Sequence, residues 1–256
     1  MTTLRQRTLS RDEVVRDIRL SRRVQVVCAW CGPAFVVLLF GGWGLLGGLV
    51  PLIAPSADAG KVASEYASNA DLHRFGLLLG MVGCFLIVPF FFAISMQMRR
   101  SEGRTPIFAI LQFASGLIVC VVLTIPMLLF LGTAFRPERL PEITRSLNEV
   151  SYLMLILPWP PIWGQLVALA SQTLSDQRAD PIFPRWSGYM QLWVAVGLLP
   201  ASMIEFFDTG PFAWNGALGF WLPAAIFGAW YLIMTWLLLR AIRQEESEEL
   251  ASLPTQ

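Results

Sequence analysis

Hydrophobic residues along this chain come in long runs separated by short polar and charged stretches. Six runs stand out, at roughly 25–54, 75–98, 106–134, 149–173, 187–207 and 216–239. Each supplies about 20 or more mostly apolar residues, the length a helix needs to cross the hydrocarbon layer of a bilayer. A helix satisfies its backbone N–H and C=O groups internally, where lipid offers them no partner. The pattern therefore predicts an all-α fold class: one polytopic bundle of six transmembrane helices over 25–243. A basic amphipathic segment, 1–24, precedes it, and an acidic tail, 244–256, follows and is expected to be disordered. The loops between spans, 55–74 and 135–148 being the longest, are too short to fold alone.

Within the first segment, Ser10 and Glu13 have the spacing of a capping box. Val14 and Ile18 then share a face among arginines, which predicts a short helix lying on the membrane surface before the chain turns inward. Basic helices of this kind favour anionic headgroups, so anionic lipids are the partner expected of the N-terminal arginines. The first apolar run is far longer than the roughly 7–15 residues of a signal-peptide core, and it reads as a retained signal anchor. In spans 1 and 2, Gly44/Gly48 and Gly76/Gly80 make small-xxx-small pairs. Such pairs serve close helix crossings within one chain or an interface in a homo-oligomer or membrane complex.

Composition agrees with this picture. Charged residues make up 14% of the chain against roughly 25% in soluble domains, and no basic tract suggests nucleic acid. The net charge of +1 is uninformative, but its placement is not. With the N-terminus inside, the cytoplasmic segments hold the arginines up to Arg23, then Arg99, Arg100, Arg104, Arg178, Arg185, Arg240 and Arg243. The opposite side holds only Lys61, Arg74, Arg136, Arg139 and Arg145. The positive-inside rule then puts both termini in the cytoplasm. Basic residues are nearly all arginine, which by codon economy suggests a GC-rich bacterium and hence its inner membrane.

Candidate chemistry is sparse. Cys28 and Cys31 sit in "CAWCGP", but the string opens a membrane span rather than a helix following a strand, and Ala34 stands where a second redox cysteine would be. Structural zinc wants four ligands, and Cys84, Cys120 and the single histidine, His73, lie elsewhere. No metal or cofactor is expected, no catalytic residue is assigned, and the balance is against an enzyme. Two irregularities remain. Pro158, Pro160 and Pro161 must break span 4 near its middle, with Gln165 one turn beyond. Interrupted helices line binding sites in transporters. Glu205 and Asp208 stand one turn apart at the outer end of span 5, on one face if the helix continues, with His73 and Arg74 across the same surface. These residues, with Trp159 and Trp163 as an apolar wall, form the candidate ligand site. An ion pair of Glu205 with Arg74 is the plainer alternative.

The last third of the chain, through Pro184, Arg185, Trp186, Gly188 and Tyr189, then Gly210, Pro211, Trp214, Asn215, Gly216 and Pro223, resembles uncharacterised bacterial multi-pass membrane proteins. That resemblance implies a six-helix fold and no activity. Three function classes follow in order: a small-molecule or lipid-handling transporter-like protein, a non-catalytic scaffold or accessory subunit, and a membrane enzyme.

Overall fold

The computed structural model describes residues 10–253, and the described residues are all-helical, without strands. Six helices are long and apolar enough to cross a membrane: Arg11–Leu46, Ala70–Met98, Ile107–Phe135, Pro141–Ser175, Arg185–Glu205 and Ala217–Ala251. Large hydrophobic side chains on their outer faces are exposed, among them Val121, Trp193 and Trp236. In water such a surface would drive aggregation, whereas lipid solvates it. The chain is a multi-pass membrane protein in contact with lipid.

The first span opens as α1 (Arg11–Val37) on a complete capping box, with Glu13 N–H donating to Ser10 Oγ and Ser10 N–H to Glu13 Oε2. No turn separates the basic segment from the span. The expected surface-lying helix is instead the first part of one continuous rod, and residues 1–9 lie outside the described residues. From Leu38 to Leu46 the helix widens into a π-helix, in which N–H groups bond to carbonyls five residues back. A short helix, α2 (Ala59–Ala67), capped by Asp58, lies in what reads as an outer loop. It is pinned to the bundle by Tyr66, whose hydroxyl donates to Asn148 Oδ1 at 2.8 Å. Burial pushes the Tyr66 phenol well above its ordinary range.

Span 2 comprises α3 (Ala70–Phe85) and α4 (Ile87–Met98), and span 3 is α5 (Ile107–Phe135). Span 4 is two half-helices, α6 (Pro141–Ile156) and α7 (Pro160–Ser175). Because α6 starts at Pro141, much of the segment 135–148 is helix rather than loop. Span 5 is α8 (Arg185–Gly197), tightening into 3-10 turns over Leu199–Glu205. Span 6 begins with a π turn, Ala217–Trp221, and continues as α9 (Leu222–Ala251).

Packing inverts one glycine expectation. Gly76 and Gly80 do form the close crossing, but their partners on span 1 are Gly42 and Gly47. A methyl on Gly76 would lie 2.3 Å from the Gly47 nitrogen and 2.6 Å from the Gly42 carbonyl oxygen, which leaves room for hydrogen alone. Gly44 instead faces Val50, and Gly48, at φ +66, turns the chain beside His73. The reason is the π-helix: its wider turn brings residues five apart into register, where four was assumed. Elsewhere α1 packs against α4 and α9, α5 against α3, α6 and α7, and α7 against α8. Two aromatic clusters fill the core. Phe35, Phe90, Phe91, Phe227, Trp230 and Tyr231 occupy one, and Trp43, Phe130, Tyr152, Trp214 and Phe220 the other.

The acidic tail is also corrected, because α9 stays helical to Ala251. Its turns from Arg243 onward are mostly polar and stand beyond the apolar span. There Arg22 pairs with Glu246 at 3.0 Å, and Glu248 is held between Arg100 (2.8 Å) and Arg178 (2.6 Å). Glu245 accepts from the buried amides of Gln25 and Gln97. These contacts tie the carboxylates to α1, to the end of α4 and to the segment after α7. Residues 254–256 lie outside the described residues.

Candidate functional site

The break in span 4 follows directly from its prolines. In a continuous helix the carbonyls of Met154, Ile156 and Leu157 would accept from residues 158, 160 and 161, all of which are prolines without an N–H. Helix α6 therefore stops at Ile156, a tight turn donates Trp159 N–H to the Leu157 carbonyl at 2.7 Å, and α7 restarts with prolines in its first turn. The two halves leave an apolar crevice of about 100 Å³ between spans 1, 3, 4, 5 and 6. Leu155, Trp159 and Ile162 line it from the break, Trp43 from the π-helix, and Phe220 and Phe227 from span 6. One polar group stands out in this wall: Trp43 is 1% exposed and its indole N–H has no hydrogen-bond partner among the described residues.

The predicted site residues are dispersed. Trp159 lines the crevice and meets Trp163 edge-on, with ring centroids 5.8 Å apart. Trp163 acts as a tie, donating its Nε1–H to the Ala195 carbonyl of α8 at 2.7 Å. Gln165 is buried on α7 beside a void of only about 10 Å³, lined otherwise by Ile162, Leu166, Val194, Phe227, Trp230 and Tyr231. Its Nε2 and the Tyr231 hydroxyl both lack partners there. A space of that size holds at most about one water. The neighbouring Gln191 is satisfied, accepting from Trp230 Nε1.

Glu205 and Asp208 are exposed, and they do not share a helical face. The 3-10 turns end at Glu205, after which the chain bends toward Gly210, at φ +80. Nor does Arg74 pair with Glu205. Its guanidinium bonds Asp71 at 2.9 Å and the carbonyls of Ala134 and Phe135, at 3.0 and 3.2 Å. It thereby caps the C-terminus of α5, a favoured place for a cation. His73 packs against Gly48. The structure thus keeps Trp159, Trp163 and Gln165 together along α7 and leaves the four charged or titratable candidates apart from them.

The cysteines are thiols in apolar surroundings. Cys31 donates to the Val27 carbonyl of its own helix, and Cys120 to the Cys84 carbonyl across spans 2 and 3. Among the described residues, no group of three or more His, Cys, Asp or Glu side chains is placed to hold a metal. Sequence reasoning missed most of the crevice wall, because Leu39, Phe220 and Phe227 look like any other membrane-span residues. Trp43, the aromatic between glycines, was the only signal available.

No protein-family model, curated protein or solved structure matches the chain, so the resemblance of its last third to bacterial membrane proteins gains no support there. Function has to rest on the geometry.

Proposed function

We propose that this is a lipid-handling, transporter-like protein of a bacterial inner membrane, oriented with both termini in the cytoplasm. Its crevice at the span 4 break accommodates the apolar chain of a lipid-like ligand. The observation that carries this reading is the crevice itself: apolar, walled by aromatic and aliphatic side chains, and located where a helix is interrupted. Interrupted helices in membranes persist where protein or a cavity covers the freed backbone. A polar small-molecule site is the weaker form of the idea, because the void beside Gln165 is only about 10 Å³. The orientation rests on the arginine distribution, and the bacterial membrane on the preference for arginine over lysine.

Native mass spectrometry of the protein purified in mild non-ionic detergent tests the reading. One retained lipid per chain is expected, and Ala224→Phe, which fills the crevice from span 6, should reduce its occupancy at least tenfold. A wild-type chain free of lipid, or equal retention by the variant, would contradict it. A second reading, an accessory subunit, is favoured by the helical ends of α1 and α9 that extend past the apolar spans and expose Arg11, Arg16, Arg19 and Arg23. It predicts a stoichiometric protein partner in the same spectra and no lipid dependence on Ala224.

A further inference from the structure

Spans 5 and 6 carry matched gradients on their outward faces. The exposed positions of α8 are Arg185, Trp186, Tyr189, Leu192, Trp193 and Val196, which recur at helical spacing along one stripe. On α9 the exposed positions between 232 and 243 are Leu232, Ile233, Trp236, Arg240 and Arg243, again one stripe. Each stripe runs from aliphatic through tryptophan to arginine toward the end of the bundle that carries both termini. The two gradients meet. Trp186 and Trp236 stack across the seam between the helices, with ring centroids 6.4 Å apart and planes 29° from parallel. Each ring nevertheless stays about half exposed, at 49% and 57%. Indole rings, apolar in body with one N–H, favour the level of lipid headgroups, so the pair marks that depth. Arg240 stands one turn, about 6 Å, beyond Trp236 on the same face. Arg185 directly precedes Trp186, and both guanidinium groups come to phosphate depth.

Charge at this seam is not spent within the chain. Arg240 has Asp180 as its ion-pair partner, but at 3.7 Å, longer than the roughly 2.7–2.9 Å of a charge-assisted hydrogen bond. Arg185 and Arg243 are exposed and form no ion pair among the described residues. The first N–H groups of α8 lie at the same level and add donors and the positive end of the helix dipole. Other arginines at this end differ. Arg22, Arg100 and Arg178 are held by Glu246 and Glu248. Arg11 lies on the continuous rod of α1 about 14 Å before Leu20, where large exposed apolar side chains begin, and so stands away from the headgroups.

We propose that the seam between spans 5 and 6 is a selective site for an anionic phospholipid. Arg185 and Arg240 hold its phosphate, the Trp186–Trp236 pair supports its glycerol region, and its acyl chains follow Leu192 and Val196 on one helix and Leu232 and Ile233 on the other. A zwitterionic lipid brings its own ammonium group against the same arginines and binds less tightly. The site lies on the outer surface and does not depend on the crevice, so either can fail without the other. Native mass spectrometry of the full chain in non-ionic detergent, titrated with dioleoyl phosphatidylglycerol or dioleoyl phosphatidylcholine, tests it. The first added phosphatidylglycerol should bind about tenfold or more tightly than the first phosphatidylcholine. Arg185→Gln combined with Arg240→Gln should abolish that preference, and because both positions are exposed the unfolding temperature without lipid should not change. Arg16→Gln combined with Arg19→Gln removes the same charge from α1 and should leave the preference within about twofold. Ala224→Phe, which fills the crevice, should leave it intact as well, and excess inorganic phosphate should not displace the lipid. Equal binding of the two lipids, a preference that survives loss of Arg185 and Arg240, or equal loss in the α1 variant would each overturn the proposal. So would loss of the preference in Ala224→Phe, which places the lipid in the crevice, or displacement by phosphate, which makes the site one for a free anion.

Discussion

The half-helix α7 has a cavity at each end, and the two are chemically opposite. At its start, beside Trp159 and Ile162, the lining is apolar. At its end, beside Gln172 and Asp176, the lining is rich in acceptors and carries two carboxylates. The helix has 16 residues, so the two ends are only about 24 Å apart. Depth explains the contrast. Where the chain is interrupted among apolar spans, exposing polar groups is expensive and aromatic rings fill the surroundings. Where it meets the polar connection 101–106, carboxylates can be held by helix-end N–H groups that need acceptors in any case. A break and a loop are both gaps in a helix, yet the medium around each decides what it can hold.

The change expected to damage the apolar region most is Gly76→Val. Its side chain would meet the backbone of Gly47 at 2.3 Å, and backbone cannot yield as a flexible side chain does. The crossing that seats Trp43 should be forced apart at a cost of about 3 kcal/mol or more. Thermal unfolding in detergent should fall steeply, whereas Gly41→Ala, with open space around it, should leave the midpoint nearly unchanged. A tolerated Gly76→Val would mean the crossing is looser than described.

A more selective break replaces Pro158, Pro160 and Pro161 together by alanine. Restoring three N–H groups lets α6 and α7 join, since each proline costs about 3 kcal/mol in a continuous helix. Lipid retention by the crevice should fall at least tenfold, while the protein remains folded and monodisperse in detergent. Unchanged lipid retention would show that the break does not form the crevice.

Those prolines were also the most legible feature of the sequence. Run length predicts the six spans, because the hydrocarbon thickness fixes how many residues a helix needs, and proline chemistry predicts the break. The π-helix was not legible: the spacing of Gly44 and Gly48 suggested ordinary helical register, and the crossing uses Gly42 and Gly47. Charge misled in another way. Charged residues end a span, but they do not end a helix, so α6 begins at Pro141 and α9 runs to Ala251. The signals were present as Pro141 at a helix start and as acidic residues opposite Arg22, Arg100 and Arg178. Glu205 and Asp208 were linked by assuming a helix that the 3-10 turns end.

Gln165→Met separates the buried void from both cavities. Removing an amide nitrogen that has no partner should be neutral or stabilise by about 1–3 kcal/mol, and lipid retention should persist. Clear destabilisation would reveal a bound water bridging Gln165 and Tyr231. The smallest effect is expected at the polar end of α9. The hydrogen bond from Arg178, supported by Arg100, holds the Glu248 carboxyl below its ordinary value. That contribution is complete above the ordinary carboxylate range and is lost as pH falls through the lower folded value. With its side chain 43% exposed the pair is well screened. Glu248→Gln should lower the unfolding midpoint by a few degrees or less at neutral pH and by less after acidification through the carboxylate range. An equal deficit at both pH values would contradict the ion-pair account.

The most direct test of the crevice is photo-crosslinking with a phospholipid that carries a diazirine within its acyl chain, followed by peptide mapping. Label concentrated on Leu155, Trp159 and Phe227, and displaced by Ala224→Phe, is the result this account predicts. Label spread evenly over the outward faces, at Val121 and Trp193 as much as at Trp159, would contradict it.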